Sequence, residues 1–474
     1  MDYCPTLPRN VARNYRSSIV MESAIAKLLE LSTEKIPGAD KRQIFNRILG
    51  IPPTCAPAPL IDKLFNSDYC PGTFLLSERK AMPDFLSFKD RIPFDEWIKR
   101  IVFEHFTQIK AIPDLPAAVK KRLKLLKKEQ LTEWVLEILE EAENGSRLCD
   151  VIWNQEYDDI LLRIEAGFIA GDPEFNFHVY QELKNAGREI CFGIFKKFEE
   201  IPLTIEEMMK LSVLSGLIGI NHKTSATATS PIEYKSIIPI SLHPDENEPG
   251  KVLSLLMEKA GAESAIDDRS LFSEFLNTES SVRIAFILDD YIESLFDLKL
   301  AELILKSYPN VSISIIPRWG ICGNDMSYDE CVEVLQAPVF HYLSWLYEES
   351  PLKFKIVPDG PRIGGFNGKK ISTLVAETLI DSDVLFVKGA RNYEMMQGIK
   401  KNTFYSFSVC REISESITGI PASSGSPVFI YQPPGEKTFD GYRGRNSSRG
   451  KNSSYGFVER TALEFVKNRK REDK

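Results

Sequence analysis

The sequence predicts an α/β protein, with a parallel sheet in its C-terminal half and a mainly helical region before it. Three observations carry that prediction. From about Lys251 onward, short apolar runs of strand length alternate with amphipathic stretches, the pattern of strands joined by crossover helices. The run Ile284 to Leu288 is apolar without interruption and rich in Ile and Phe, as expected of a strand buried on both faces. The connections between successive strands are long enough for right-handed crossovers.

From Val11 to about Gly216 the chain reads mostly as helices. Ile19 to Leu31 has apolar residues at helical spacing, and Ala117 to Ala142 sets Lys-rich and Glu-rich faces around Leu123, Leu126, Leu131, Val135, Leu136 and Leu139. Pro-rich connections at Ile51 to Pro59 and Ile112 to Pro116 break these helices into packets, and Asp150 to Gly171 is a further helical candidate. Between His222 and Gly250 the composition turns to Ser, Thr, Pro and Asp. This loose boundary divides a helical region 1–230 from an α/β domain 231–432, followed by a Gly-, Ser- and Arg-rich flexible basic tail, 433–474, with a short helix near Val458 to Val466.

Within the α/β part, strand Ile284 to Leu288 leads into a helix whose stripe is Leu295, Leu298, Ala301, Ile304 and Leu305. Strand Val311 to Ile316 follows, ended by Pro317. After PRWGICGND a helix begins near Tyr328, and the extended piece Phe354 to Val357 leads into the Gly-rich loop PDGPRIGGFNG. A helix over Ile371 to Ile380 feeds strand Val384 to Val387, which ends in Lys388-Gly389. A helix near Phe407 to Ile417 then precedes strand Val428 to Tyr431.

The net charge of -8 over 474 residues argues against a general binder of nucleic acid or anionic membranes, whose affinity rests on a basic surface. No stretch has the length and apolarity of a membrane span, and the start carries Asp2, Arg9, Arg13 and Arg16 with no apolar core segment behind them, so a cytoplasmic protein is expected. The eight cysteines form no CxxC pair and are read as reduced thiols.

In an open α/β sheet the ligand crevice lies outside the carboxyl ends of the strands. Three strands deliver polar groups there: Asp289, Asp290 and Glu293 after the first, Arg318, Asn324 and Asp325 after the second, Lys388 and Asn392 after the third. Adjacent carboxylates repel, and a bound cation is the cheapest way to keep them charged in a cleft. Oxygen ligands from Asp289, Asp290 and Asp325 suit Mg or Mn, and a neighbouring Lys and Arg complete a phosphate site. Asp289 and Asp325 equally suit helix N-caps, so cap and ligand both stand at this point.

These segments, in this order, resemble the damage-control phosphatase family, metal-dependent phosphatases that include acidic-residue methyltransferase-like proteins and the phosphatase domain of pantothenate kinase-like proteins. LDDYIESLFD follows the family's D-N-x-G-E-x-x-F-D, RWGICGNDMS its R-G-x-P-I-x-N-D-x-T, and KGARNYE its K-G-x-x-N-Y-E. PDGPRIGG is similar to its Gly-containing loop and TFYSFSVCREIS to its closing helix. The departures mark a divergent member: Asp290 stands for the motif's Asn, Ile292 for its Gly, Ile321 for its Pro and Ser327 for its Thr. The resemblance implies a three-layer α/β/α core and a divalent metal (Mn, Mg, Co or Ni) held at Asp289, Asp290 and Asp325. It also implies hydrolysis of phosphate monoesters of small metabolites, sugar phosphates or phosphopantetheine-like compounds. From these residues, Asp289, Glu293 and Lys388 are the catalytic candidates. Arg318, Asn324, Lys388, Gly389, Asn392 and Asn221 are the substrate-binding ones, with Asn221 at the family's Gly-Asn contact.

Two rivals stand beside the phosphatase. One is an S-adenosylmethionine-dependent carboxyl methyltransferase, although no glycine turn follows the first strand. The other is a non-catalytic metal- or ligand-binding protein built on the phosphatase fold, to which Asp290 and Ile292 point.

Overall fold

A computed structural model describes residues 56–66, 73–75, 121, 124, 152–154, most of 180–220, 238–241, most of 246–408, and 426–435. The chain divides into two compact units, one of 1–51, 70–180 and 362–365, the other of 52–69, 181–361 and 366–474. Several expectations fall outside the described residues: the helix Ile19 to Leu31, most of Ala117 to Ala142, Asn221, and the chain beyond 435.

In the first unit, β1 (Thr73–Leu75) and β2 (Ile152–Asn154) pair antiparallel, with Thr73 opposite Asn154. The helix predicted over Asp150 to Gly171 is therefore corrected at residues 152–154, which are strand.

The second unit is built on a sheet of seven strands. In chain order its elements are α1 (Ala58–Leu64), α2 (Gln181–Phe198), α3 (Ile205–Leu214), the short parallel pair β3 (Ile218–Ile220) and β4 (Ile238–Ile240), α4 (Pro249–Ala260), β5 (Ile266–Asp267) and α5 (Arg269–Leu276). Then come β6 (Val282–Ile287), α6 (Tyr291–Ser307), β7 (Val311–Ile316), α7 (Tyr328–Leu335), α8 (His341–Glu349) and β8 (Phe354–Ile356). The last are α9 (Thr373–Asp381), β9 (Val384–Lys388), α10 (Ala390–Met395), β10 (Asn402–Ser408) and β11 (Pro427–Gln432).

The strand order is β5-β11-β10-β9-β6-β7-β8. Five strands, β10, β9, β6, β7 and β8, run parallel, while β11 pairs antiparallel with β10 and carries β5 beside it. The α/β class with flanking helices is as the sequence predicts. The closing segment is not: Phe407 and Ser408 end strand β10 instead of starting a helix. All of β10 is buried, and in a strand covered on both faces the aromatic run TFYSF shows no alternation that tells it from a buried helix.

Side-chain alternation along the central strands divides the core into two layers. Val282, Ile284 and Phe286 of β6 face α2 to α8, joining Phe272, Phe296 and Leu335. Ala285 and Ile287 face the other way, onto Val375 and Leu379 of α9 and Tyr393 of α10. Phe286 stacks on Phe386 of β9 with ring centroids 4.7 Å apart. Helix α6 buries Glu293, Asp297 and Glu302 along with its apolar residues, because α2 and α3 cover the side turned away from the sheet.

Ile292, where the resembled motif has glycine, lies in the first turn of α6 and needs no left-handed backbone. Its side chain occupies the space over Gly187 of α2: a Cβ placed on Gly187 would stand 2.4 Å from Ile292 Cδ1 and 2.6 Å from Cγ1. A bulky residue on one helix is matched by the smallest residue on the next. We predict that Gly187→Ala destabilises the protein by about 1–3 kcal/mol through overpacking, despite alanine's better helix propensity. The double variant with Ile292→Ala should lose less than the sum of the single losses by about 1 kcal/mol or more. Denaturant midpoints of the variants in this cycle are the check, and additive losses would contradict the contact.

Candidate functional site

The sheet changes direction of winding beside β6. The chain runs outward from β6 to β7 and β8, then crosses back to lay β9 on the other side of β6. Ligand crevices form outside the carboxyl ends of strands at such a switch point. Here β6 delivers Asp289 and Asp290, β7 delivers Arg318, and β9 ends in Lys388 and Gly389.

Backbone bonds close the 318–326 loop against the end of β6. Arg318 N donates to Met326 O at 2.9 Å, Met326 N to Asp289 O at 2.9 Å, and Tyr291 N to Asn324 O at 2.7 Å. Asp290 and Asp325 face each other across an isolated antiparallel bridge. As a result, carboxylate oxygens of Asp289, Asp290 and Asp325 lie within 4.8 Å of one another. The cap reading is answered by the same geometry. Asp290 is the N-cap residue of α6 but its side chain makes no capping hydrogen bond, and α7 is capped by Ser327 in a capping box with Glu330.

Arg318 lies beneath the cluster, buried. Its Nε donates to Asp325 Oδ2 at 2.7 Å, Nη1 to Asp359 Oδ2 at 3.1 Å and Nη2 to Asn392 Oδ1 at 2.8 Å, and Asp289 Oδ1 is 3.8 Å away. Burial opposes its charge, but the carboxylates of Asp325, Asp359 and Asp289 outweigh that and raise its pKa. Asp359 also accepts from Trp319 N at 2.7 Å, and burial pushes its carboxyl up to about 6 against the pull of Arg318. Asn392 donates to Leu288 O at 3.0 Å and Lys388 O at 2.7 Å, so it ties the end of β6 to that of β9.

A second buried group stands beside the first. Lys388 Nζ is 3.1 Å from Glu293 Oε2 and 3.7 Å from Asp297 Oδ1, and it donates to Ser212 O at 2.9 Å. Burial works to lower the Lys388 pKa, yet Asp297 and Glu293 hold it above its ordinary value. One ammonium does not neutralise two buried carboxylates. Burial therefore pushes Glu293 up to about 8, with Asp290 and Asp297 adding repulsion, and burial raises Asp297 to about 6. Ser212 Oγ donates to Asp297 Oδ1, while Asp297 Oδ2 has no hydrogen-bond partner among the described residues.

Gly389 has φ +84°, and a Cβ there would stand 1.7 Å from Asp289 Oδ2, so only glycine fits the strand end beside that carboxylate. A Cβ on Gly216 would likewise meet Glu293 Oε1 at 2.3 Å.

Residues 237–420 match the family model of the damage-control phosphatase ARMT1-like domain. Over this segment, less than half of the chain, the sequence is similar to that family. The ARMT1-like domain thus spans β6 to β10 and every residue named in the two buried groups except Ser212. No curated protein matches the sequence. Among solved structures, a DUF89 family protein from Pyrococcus horikoshii aligns with TM-score 0.48 and 18% identity, over 70% of this chain and 96% of that one.

The donor set fits a divalent metal. The three carboxylates of the cluster supply hard oxygens, and Asp289 shows what their convergence costs: burial and then the charges of Asp325, Asp290 and Glu293 raise its pKa well above the usual range. A cation among them removes that repulsion. Asp289, Asp290 and Asp325 are the residues that would hold it.

Of the residues singled out from sequence, Asp289, Asp290, Glu293, Arg318, Asp325, Lys388, Gly389 and Asn392 are brought to one place. Asn324 is half-buried next to them, and Asn221 lies outside the described residues. Sequence reasoning missed Asp359 and Ser212 as site residues and left Asp297 without a role. Asp359 carried a signal, its place in PDGPRIGG, whereas Ser212 sits in an apolar helix that offers none.

The raised carboxyls make metal-free stability pH-dependent. Glu293 holds its proton up to about 8 in the folded chain, against an ordinary 4.5. Its contribution is complete below the lower value and is lost as pH rises through the upper one. We predict that the denaturant midpoint of metal-free protein falls between about pH 5 and pH 8, and that Glu293→Gln flattens much of this slope. An unchanged slope would place the titration elsewhere.

Proposed function

We propose that this chain is a divalent-metal-dependent phosphatase acting on phosphate monoesters of small metabolites, sugar phosphates or phosphopantetheine-like compounds. The convergence of Asp289, Asp290 and Asp325 at the switch point of an ARMT1-like domain carries this reading. When bound, a divalent ion supplies charge neutralisation and Lewis-acid activation of the phosphoryl group. Asp289 stands at the reacting centre, either as nucleophile or as the group that holds an attacking water. Glu293, which keeps its proton to about 8, positions the water or substrate and moves a proton at its carboxyl. Lys388 stands behind Glu293 and offsets the charge of Asp297, and Asn324 with the Gly389 turn borders the substrate.

Arg318 and Asn392 take a narrower role in this reading than the sequence suggested. Both are buried and their polar groups are engaged with protein partners, so they hold the ligands and strand ends in place. Buried Cys191 and Cys331 carry free thiols, which suits a cytoplasmic setting. Among the described residues no helix is long and apolar enough to cross a membrane.

Hydrolysis of p-nitrophenyl phosphate and of a panel of sugar and pantetheine phosphates tests the reading. Activity is expected to require Mn or Mg, to vanish with EDTA, and to fall by about 10²-fold or more in Asp325→Ala. Activity that survives Asp325→Ala removes the site assignment. Metal binding without any hydrolysis favours the non-catalytic rival, and methyl transfer from S-adenosylmethionine without hydrolysis favours the other.

A further inference from the structure

Helix α2 precedes the ARMT1-like segment, yet it reaches into the metal site. Lys184, 2% exposed, extends from α2 to the 318–327 region. Its Nζ donates to the main-chain carbonyl of Asp325 at 2.7 Å and to both carboxylate oxygens of Glu330 at 2.9 Å. Glu330 in turn accepts from Ser327 N at 2.9 Å and Ser327 Oγ at 2.7 Å, closing the capping box of α7. The ring of Tyr291, the first residue of α6, lies 5.3 Å from the ammonium and covers it.

Asp325 is thus gripped at three points. Arg318 holds its carboxylate, Cys322 O accepts from its N–H at 3.0 Å, and Lys184 holds its carbonyl. The grip works against a real force, because the Asp289, Asp290 and Asp325 carboxylates repel one another until a cation arrives. A buried ammonium is also an expensive device for fastening a loop, since an apolar contact would do that without desolvating a charge.

We infer that Lys184 is a positioning residue for the metal centre, holding Asp325 through its main-chain carbonyl so that its carboxylate stays within reach of Asp289 and Asp290. The inference rests on the metal reading given above. Lys184 touches neither metal nor substrate. It presets the ligand geometry, so its loss is expected in metal affinity before catalysis at saturating metal. Partners of this kind, one step removed from the ion, typically contribute about 10- to 100-fold in metal affinity.

Lys184→Met alone leaves half-buried Glu330 without its ammonium beside an apolar chain and confounds the result with misfolding. The informative variant is Lys184→Met combined with Glu330→Gln, which removes both charges together and leaves Asp325 O unheld. Full-length wild type and the double variant are titrated with Mn by calorimetry, and amide exchange across 318–327 is measured without metal. The expected result is a near-wild-type melting temperature, Mn binding weakened by about 10-fold or more, faster exchange at Asp325 and Met326, and an unchanged KM for p-nitrophenyl phosphate at saturating Mn. Lys184→Arg, which restores a donor, should recover part of the affinity. If the double variant binds Mn within about twofold of wild type, or loosens the loop without weakening Mn, Lys184 is a structural tie and the inference is overturned. If wild type itself binds no Mn, the metal reading fails and this inference with it, an outcome distinct from the preceding ones.

Discussion

The buried guanidinium of Arg318 is the interaction on which the site depends. It comes from the end of β7 and joins Asp325 on the following loop, Asp359 after β8 and Asn392 after β9, with Asp289 of β6 close by. Parallel strands contribute no bonds between their carboxyl ends beyond the last rung of the ladder. Something else must keep those ends from splaying, and a planar donor with fixed forks does so for four strands at once. Each nitrogen of the guanidinium meets an acceptor, which matters because an unpaired buried charge costs several kcal/mol.

The site as a whole carries more negative charge than its own cations offset. Arg318 and Lys388 are shared among Asp289, Asp325, Asp359, Glu293 and Asp297, and burial above all, with like-charge repulsion added at Asp289 and Glu293, raises the carboxyls of Asp289, Glu293, Asp297 and Asp359. This imbalance is what a bound cation would offset, and it supports the metal-dependent reading proposed above. Packing serves the same end. Gly389 and Gly216 leave room for carboxylates, and Gly187 leaves room for Ile292, so the substituted motif position is absorbed by a neighbouring helix and not by the backbone of the site.

Much of the sheet was legible because its strands have a plain signature: β6 and β9 carry continuous apolar runs ended by polar residues, and β7 and β8 alternate apolar and polar residues. β10 was not, since a strand covered on both faces loses the alternation that tells strand from helix, and its aromatic residues suit either. Within the site, Asp289, Asp290 and Asp325 were legible from their position after strands. Ser212 was not, because its importance lies in Lys388, a partner distant in the chain, and Asp359 was marked only by its loop, since its partner Arg318 is equally a matter of tertiary contact.

From the order of its residues alone, this chain determined its fold class, the strands that meet at the switch point, and the acids, Lys and Arg that stand at their ends. Those features are local: periodicity, strand length and chain order suffice for them. Tertiary structure alone decided which of those groups face one another. It placed Arg318 and Asn392 beneath the cluster, set Lys388 between Glu293 and Asp297, and brought Lys184 and Ser212 from helices that precede the family segment. Charge pairing in a buried site acts over a few ångströms in space, and one-dimensional order contains no such distance.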